Sequence, residues 1–336
     1  MSRLRQSVIG VVPLCVALGA WSLPAAAGFI TIHPSGAVAS YAWDVNDHGT
    51  VTGFYFDKHG ITVAFVRSAS GTITTFAHRK SRVTAAYGIN GVGQSTGYWT
   101  TLSGAFPGFI LNADGSVQAF KVKGAVSGTY PGSINANGDV AGAWYDAVTT
   151  DHGFLRMSNG TVTSFDVAGD TYGTMPKSIN ASDDITGFWG DANGLPHAFL
   201  RTSDGTITTF DGPNATGTYA YGINVSDTIT GLYGDASGKE HGFVRTSDGT
   251  ITSFDPQGSA GTWPTGINDK GAITGYYYDS NDIAHGFVRD SSGTITTFDD
   301  PKGAGGTFPV TVNNKGAVVG WYVDAAGNYH GFLKGK

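Results

Sequence analysis

FITI at residues 29–32 and NYHGFLKGK at residues 328–336 decide the fold when they are read together. The second stretch is the last copy of a phrase that recurs along the chain, for example HAFLRTSDGTITTF at 197–210. Every earlier copy runs on through a turn into GTITTF or a close variant, and the last one does not. Ile32 lies 14 residues before Asn46, and in complete copies the final Phe lies 14 or 15 residues before the next Asn, as Phe76 does before Asn90. FITI is thus read as the strand that the last unit lacks.

Working outward from these two stretches, an Asn closes each of the phrases DVN, GIN, SIN, SIN, GIN, GIN and TVN, at Asn46, Asn90, Asn135, Asn180, Asn224, Asn268 and Asn313. The period is 44 or 45 residues. A Phe follows each Asn at a fixed distance of 19 residues, from Phe65 to Phe332, and all changes in length fall between the GTITTF-like strand and the next Asn. Each unit reads as four short strands: in the fifth, YAYGIN, TITGLYG, EHGFVRT and TITSF are strands a, b, c and d, separated by turn clusters. No stretch after residue 28 has useful helical periodicity.

Four strands per unit and seven units predict an all-β, seven-bladed β-propeller over residues 28–336. One small sheet cannot bury both its faces, but a ring of sheets can. The competing architecture is an open solenoid of stacked hairpins. Pairing of strand 29–32 into blade seven decides against it, since a closed ring leaves no open sheet end and an open solenoid has no use for such a strand.

Residues 1–27 read as a secretory signal, with Arg3 and Arg5, the apolar stretch VIGVVPLCVALGAW and a cleavage site near Ala27. The mature protein is therefore expected outside the cytoplasm, extracellular or periplasmic, as a monomer. No later run approaches the ~18 apolar residues of a membrane span. Cys15 is the one cysteine and lies in the signal, so no disulfide and no thiolate metal site is expected. After cleavage 18 basic residues face 26 acidic ones, which argues against nucleic acid as a partner.

Residues that recur in every unit speak for the scaffold. The Asn is expected to cap the a–b turn. The Gly seven residues later, as at Gly53 and Gly142, is expected to admit a neighbouring blade. The aromatic two residues further on, as at Trp99 or Tyr322, is expected to pack over the bare glycine of its own or an adjacent blade, with a sugar-stacking platform as the sharper alternative. His152, His197, His241, His285 and His330 each belong to a different blade. They are read as hydrogen-bonded structural residues held by the turn Asp of the same hairpin rather than as metal ligands. The Arg or Lys two residues after the strand-c Phe is expected to form an ion pair.

The phrases ITGxYxDxxGxxHGFVR, as at 229–245, and HAFLR at 197–201 resemble the extracellular HAF-type repeat family over nearly all of the mature chain. The resemblance implies a secreted repeat protein with no assigned reaction or ligand. RTSDGTITTF at 201–210 is similar to the Asp-box of sialidase-type propellers but lacks the residue between Asp and Gly. The passage from GTITTFDGP into YAYGIN resembles streptogramin-lyase propellers, whose Trp-Phe-Thr-Glu-rich motifs and expected Glu are absent.

Function should lie where the chain departs from its repeat, and on loops. Most d–a connections are acidic, but the first carries His78, Arg79, Lys80 and Arg82, the second adds Lys121 and Lys123, and the b–c turn of blade one adds Lys58 and His59. This basic sector is a candidate site for an acidic glycan or another anionic small molecule, and a protein is the further class of partner to expect. In strand a, Asp44 stands where other units have Gly, Ser or Thr, and Lys177 is a second exception. With Trp43, Tyr87 and Tyr221 they are expected to approach the channel mouth. No cysteine nucleophile, GxSxG, HExxH, EF-hand or phosphate loop occurs, and Glu240 is the one Glu, so a Glu-pair glycosidase is excluded. The reading is a non-catalytic binding scaffold without cofactor or metal; the alternative is an extracellular propeller lyase or hydrolase built from Asp and His.

Overall fold

The computed structural model describes residues 28–148 and 150–335; residues 1–27, read above as a secretory signal, lie outside them. All described secondary structure is β, in seven antiparallel four-stranded sheets. Six blades use four consecutive strands each. Blade seven takes strands a to c from Gly306–Val312, Val318–Val323 and Tyr329–Lys334, and its fourth strand is Phe29–Ile32. The pairing is antiparallel, with Phe29 opposite Lys334 and Ile32 opposite Gly331. The ring is therefore closed by the strand at the other end of the described chain.

The strand-c Phe residues form the core. All seven, from Phe65 to Phe332, are among the largest fully buried side chains. The strand-d Phe of one blade packs on the strand-c Phe of the next, as in Phe76–Phe109 at 5.3 Å and Phe120–Phe154 at 6.0 Å between ring centroids. Burying one Phe contributes roughly 1.5–3 kcal/mol, so seven such rings outweigh any single polar contact between blades.

The recurring Asn does more than cap its turn. In blade four, Asn180 Oδ1 accepts the backbone N–H of Ser182 and Asp184, while Nδ2 donates to the carbonyl of Asn224 in the next blade at 3.1 Å. The same bond recurs at every junction, including Asn313 to the carbonyl of Asn46. Seven buried side chains thus form a closed hydrogen-bonded ring.

Three scaffold expectations need correction. The strand-b glycine admits its own blade's strand a, not a neighbouring blade: a Cβ on Gly142 would collide with the carbonyl of Tyr130, and one on Gly53 with that of Tyr41. The cause is a bulge in strand a, described below. The strand-b aromatic does not cover that glycine. In the five blades with a strand-c His it packs on that His, as Trp144 stacks on His152 at 4.3 Å, and it meets a glycine of the d–a connection, such as Gly124. The strand-c cation makes no ion pair among the described residues. Arg156 lies over Phe120 of the preceding blade at 5.0 Å, and Arg201, Arg245, Arg289 and Lys334 repeat the arrangement. A weakly hydrated guanidinium suits a dry aromatic face.

Four of the five histidines lie between two carboxylates, and His330 lies between His33 at 3.2 Å and the turn residue Asp324 at 3.1 Å. His241 meets Asp255 at 2.6 Å and the turn residue Asp235 at 3.3 Å. Burial opposes its charge, but the two carboxylates outweigh burial and raise its pKa. In those four the nearer partner is the Asp that follows strand d, on Nδ1, and the turn Asp lies 3.3–3.8 Å from Nε2.

Candidate functional site

In every blade the pairing of strands a and b slips by one residue. Ala42 lies opposite Gly53 but Asp44 opposite Thr52, and Pro176 opposite Gly187 but Ser178 opposite Thr186. The residue left unpaired stands three positions before the recurring Asn, and a bulge of this kind re-aims its side chain. The seven bulged residues are Trp43, Tyr87, Gly132, Lys177, Tyr221, Thr265 and Val310. All seven line one cavity of about 390 Å³ at the ring centre, together with Asp44. The glycine that yields to the bulge is fixed in every copy, while the residue the bulge presents is not. Scaffold and site are therefore separated by one position in the repeat.

The wall is aromatic over most of its circumference. Trp263 stacks on Tyr276 at 5.7 Å, Trp321 stacks on Trp43, and Trp43 meets Tyr87 edge-on at 5.1 Å; Phe308, outside the lining, packs on both Tyr276 and Trp321 and joins the two halves. Blades three and four interrupt this crescent with Gly132, Ser133, Lys177 and Ser178. A flat apolar body fits the crescent, and polar groups fit the gap. Burial raises the pKa of Tyr87 and Tyr276 and pushes Tyr221 to about 12, so these hydroxyls stay neutral.

Two ionisable groups of opposite sign remain. Asp44 accepts the N–H of Val45 and, across the blade junction, that of Ile89, both at 2.8 Å. Burial nevertheless raises its pKa to about 6, against the pull of those two bonds. Lys177 Nζ sits 5.1 Å from the centre of the Phe188 ring; burial lowers its pKa and Asp151 partly restores it. A second cavity of about 520 Å³ shares Tyr221 and Trp263 with the first and contains Glu240.

Asp44 supplies a pH test. A carboxyl whose folded pKa exceeds its unfolded value of ~3.9 costs stability as it ionises. Unfolding free energy should therefore fall between about pH 4 and about pH 6. The expected loss is on the order of 3 kcal/mol, because each tenfold difference in proton affinity between the folded and unfolded chain is worth about 1.4 kcal/mol. Asp44→Asn should flatten that part of the profile. Parallel profiles for the two proteins would mean that Asp44 does not titrate there.

Of the sequence-derived candidates, Asp44 and Lys177 meet in the cavity with Trp43, Tyr87 and Tyr221. Lys58, His59, Arg79, Lys80, Arg82, Lys121 and Lys123 lie outside its lining and are exposed on the b–c and d–a loops. His78 is different. It stacks flat on Trp99 at 4.4 Å, and burial lowers its pKa. It fills the place of the strand-c His that blade two lacks, where Pro107 stands. Sequence reading missed Trp263, Tyr276 and Trp321. Aligning the units on Asn and comparing the fifth residue before it and the eighth after it would have collected them, and the third residue before it gives the bulged column.

Fold and site together define a seven-bladed β-propeller with a ligand-sized cavity on its axis. No protein-family model matches the chain, and no curated protein matches it in sequence. Solved structures with the same fold include virginiamycin B lyase from Staphylococcus aureus, determined with quinupristin (14% identity, 91% of this chain and 98% of that one, TM-score 0.61). Others are the propeller domain of the Trilobed protease from Pyrococcus furiosus (9%, 88% and 95%, 0.63) and the BP39L lectin from Burkholderia pseudomallei (9%, 89% and 98%, 0.57). At these identities the likeness is one of fold. No helix among the described residues is long and apolar enough to cross a membrane.

Proposed function

We propose that the protein is a secreted binding module of the HAF-repeat type whose ligand enters the axial cavity, and that the ligand is an acidic sugar unit or comparable small anion. The observation that carries this reading is the convergence of all seven bulged residues, the variable column of the repeat, on one cavity. Sugars present apolar C–H faces that suit the Trp43–Trp321 crescent, and a carboxylate or phosphate suits Lys177. The volume falls in the range of small-ligand sites, about 300–1,000 Å³, so one terminal sugar unit fits rather than a long glycan.

Trp43, Trp263 and Trp321 line the cavity, so binding has an intrinsic fluorescence readout. Titration with a uronic acid is expected to change tryptophan emission, and Lys177→Met to weaken the interaction at least about tenfold, or ~1.4 kcal/mol. The neutral parent sugar should bind Lys177→Met and wild type alike. Identical uronic acid affinities in both proteins would defeat the anion reading.

A second reading, an enzyme of lyase or hydrolase type, is favoured by the opposite displacement of two groups facing one cavity, Asp44 upward and Lys177 downward. Turnover of a bound uronide that disappears in Asp44→Asn while binding persists would support it over simple binding.

A further inference from the structure

Six of the seven blade junctions carry a strand-c cation, and the junction between blades one and two does not. Leu111 stands where Arg67, Arg156, Arg201, Arg245, Arg289 and Lys334 stand elsewhere. In four of the other junctions the guanidinium lies 4.7–5.1 Å from the preceding strand-d Phe and donates from Nη1 to the carbonyl of the next residue, as Arg156 does to Met157. At the exceptional junction both receptor groups are present without that cation. The Phe76 ring and Asn112 line a cavity of about 530 Å³ with Leu111 at its side.

We infer that this inter-blade cavity is a binding site for the arginine side chain of a peptide, with the Phe76 ring and the Asn112 carbonyl as receptors. The molecule itself carries the template. Four guanidinium groups already sit on the same two elements elsewhere in the ring; none makes a direct ion pair among the described residues, although acidic side chains nearby, such as Asp139 for Arg156, favour the charge. Charge favours a cation as well: no Lys or Arg lines the cavity, and the chain carries a net charge of −6. The cavity exceeds one guanidinium, and its remaining wall includes Val66 and the 68%-exposed Val92. An apolar residue beside the arginine would cover that surface. This site is independent of the axial cavity, sharing no lining residue with it.

The test uses a blocked Val-Arg-Val tripeptide and its citrulline counterpart, which keeps the shape and removes the charge, followed by NMR on the full chain. The arginyl peptide is expected to shift the Phe76 ring and the neighbouring Asn112–Gly115 amides, and the citrulline peptide to bind at least tenfold more weakly. Leu111→Arg should supply the missing side chain and abolish binding. Arg156→Leu should uncover Phe120 and create a second site with its own set of shifts. Absence of binding to wild type, equal binding of the citrulline peptide, or undiminished binding to Leu111→Arg would each overturn the inference. If Arg156→Leu unfolds, the Leu111→Arg comparison decides alone.

Discussion

Deleting Phe29–Ile32 is expected to abolish cooperative folding of the ring as a monomer. Ile32 is fully buried in the cluster with Phe65 and Val319, and Phe29 packs on Phe332 at 5.5 Å and Phe298 at 6.0 Å. Truncating one such side chain costs about 2–5 kcal/mol, and the deletion removes two, together with a whole backbone ladder. The sum approaches the roughly 5–15 kcal/mol that stabilises a typical domain. It also bares the edge of Tyr329–Lys334, a template for pairing with another chain. Urea unfolding should show a lower midpoint and a broader transition, and size-exclusion chromatography should show oligomers. A monomer with the wild-type midpoint would mean that closure does not hold the ring. Ile32→Ala, which keeps the ladder, should cost about 2–5 kcal/mol while leaving the protein monomeric.

Asn180→Ala is the second large effect. The side chain is 4% exposed and links two blades: it accepts from Ser182 and Asp184 and donates to the carbonyl of Asn224 and to Asp227. Alanine leaves buried donors and an acceptor unsatisfied, at about 1–3 kcal/mol each, so a loss of roughly 3 kcal/mol is expected. Asn180→Asp separates the two jobs. It keeps the acceptor that caps the turn but replaces the donor with a carboxylate facing a carbonyl. Its deficit should be similar at pH 7 and smaller near pH 4, where a protonated Asp can donate again. An Asp variant as stable as wild type at pH 7 would show that the inter-blade bond contributes nothing.

The residues that hold the scaffold were legible because a repeat displays them seven times. Period, strand count, blade number and ring closure all follow from spacings between Asn, Phe and Gly, and the structure repeats them strand for strand. Local turn chemistry was equally readable: Asp57 Oδ1 accepts the N–H of His59 and Ile61 within its own turn. Asp44 and Lys177 were legible as exceptions to the repeat, without the wall that joins them.

What the sequence by itself determined is therefore what depends on short separations along the chain. The tertiary structure decided where side chains point across the ring. A one-residue slip between strands a and b turns Trp43, Lys177 and Tyr221 into the channel, and alternation along a strand cannot reveal it because the slip arises from pairing with a second strand. Likewise, the strand-c arginines rest on rings of the preceding blade, and Asn313 bonds to Asn46 across 267 positions. Such contacts come from how sheets stack around an axis, a geometry set by packing volume and closure rather than by any local pattern.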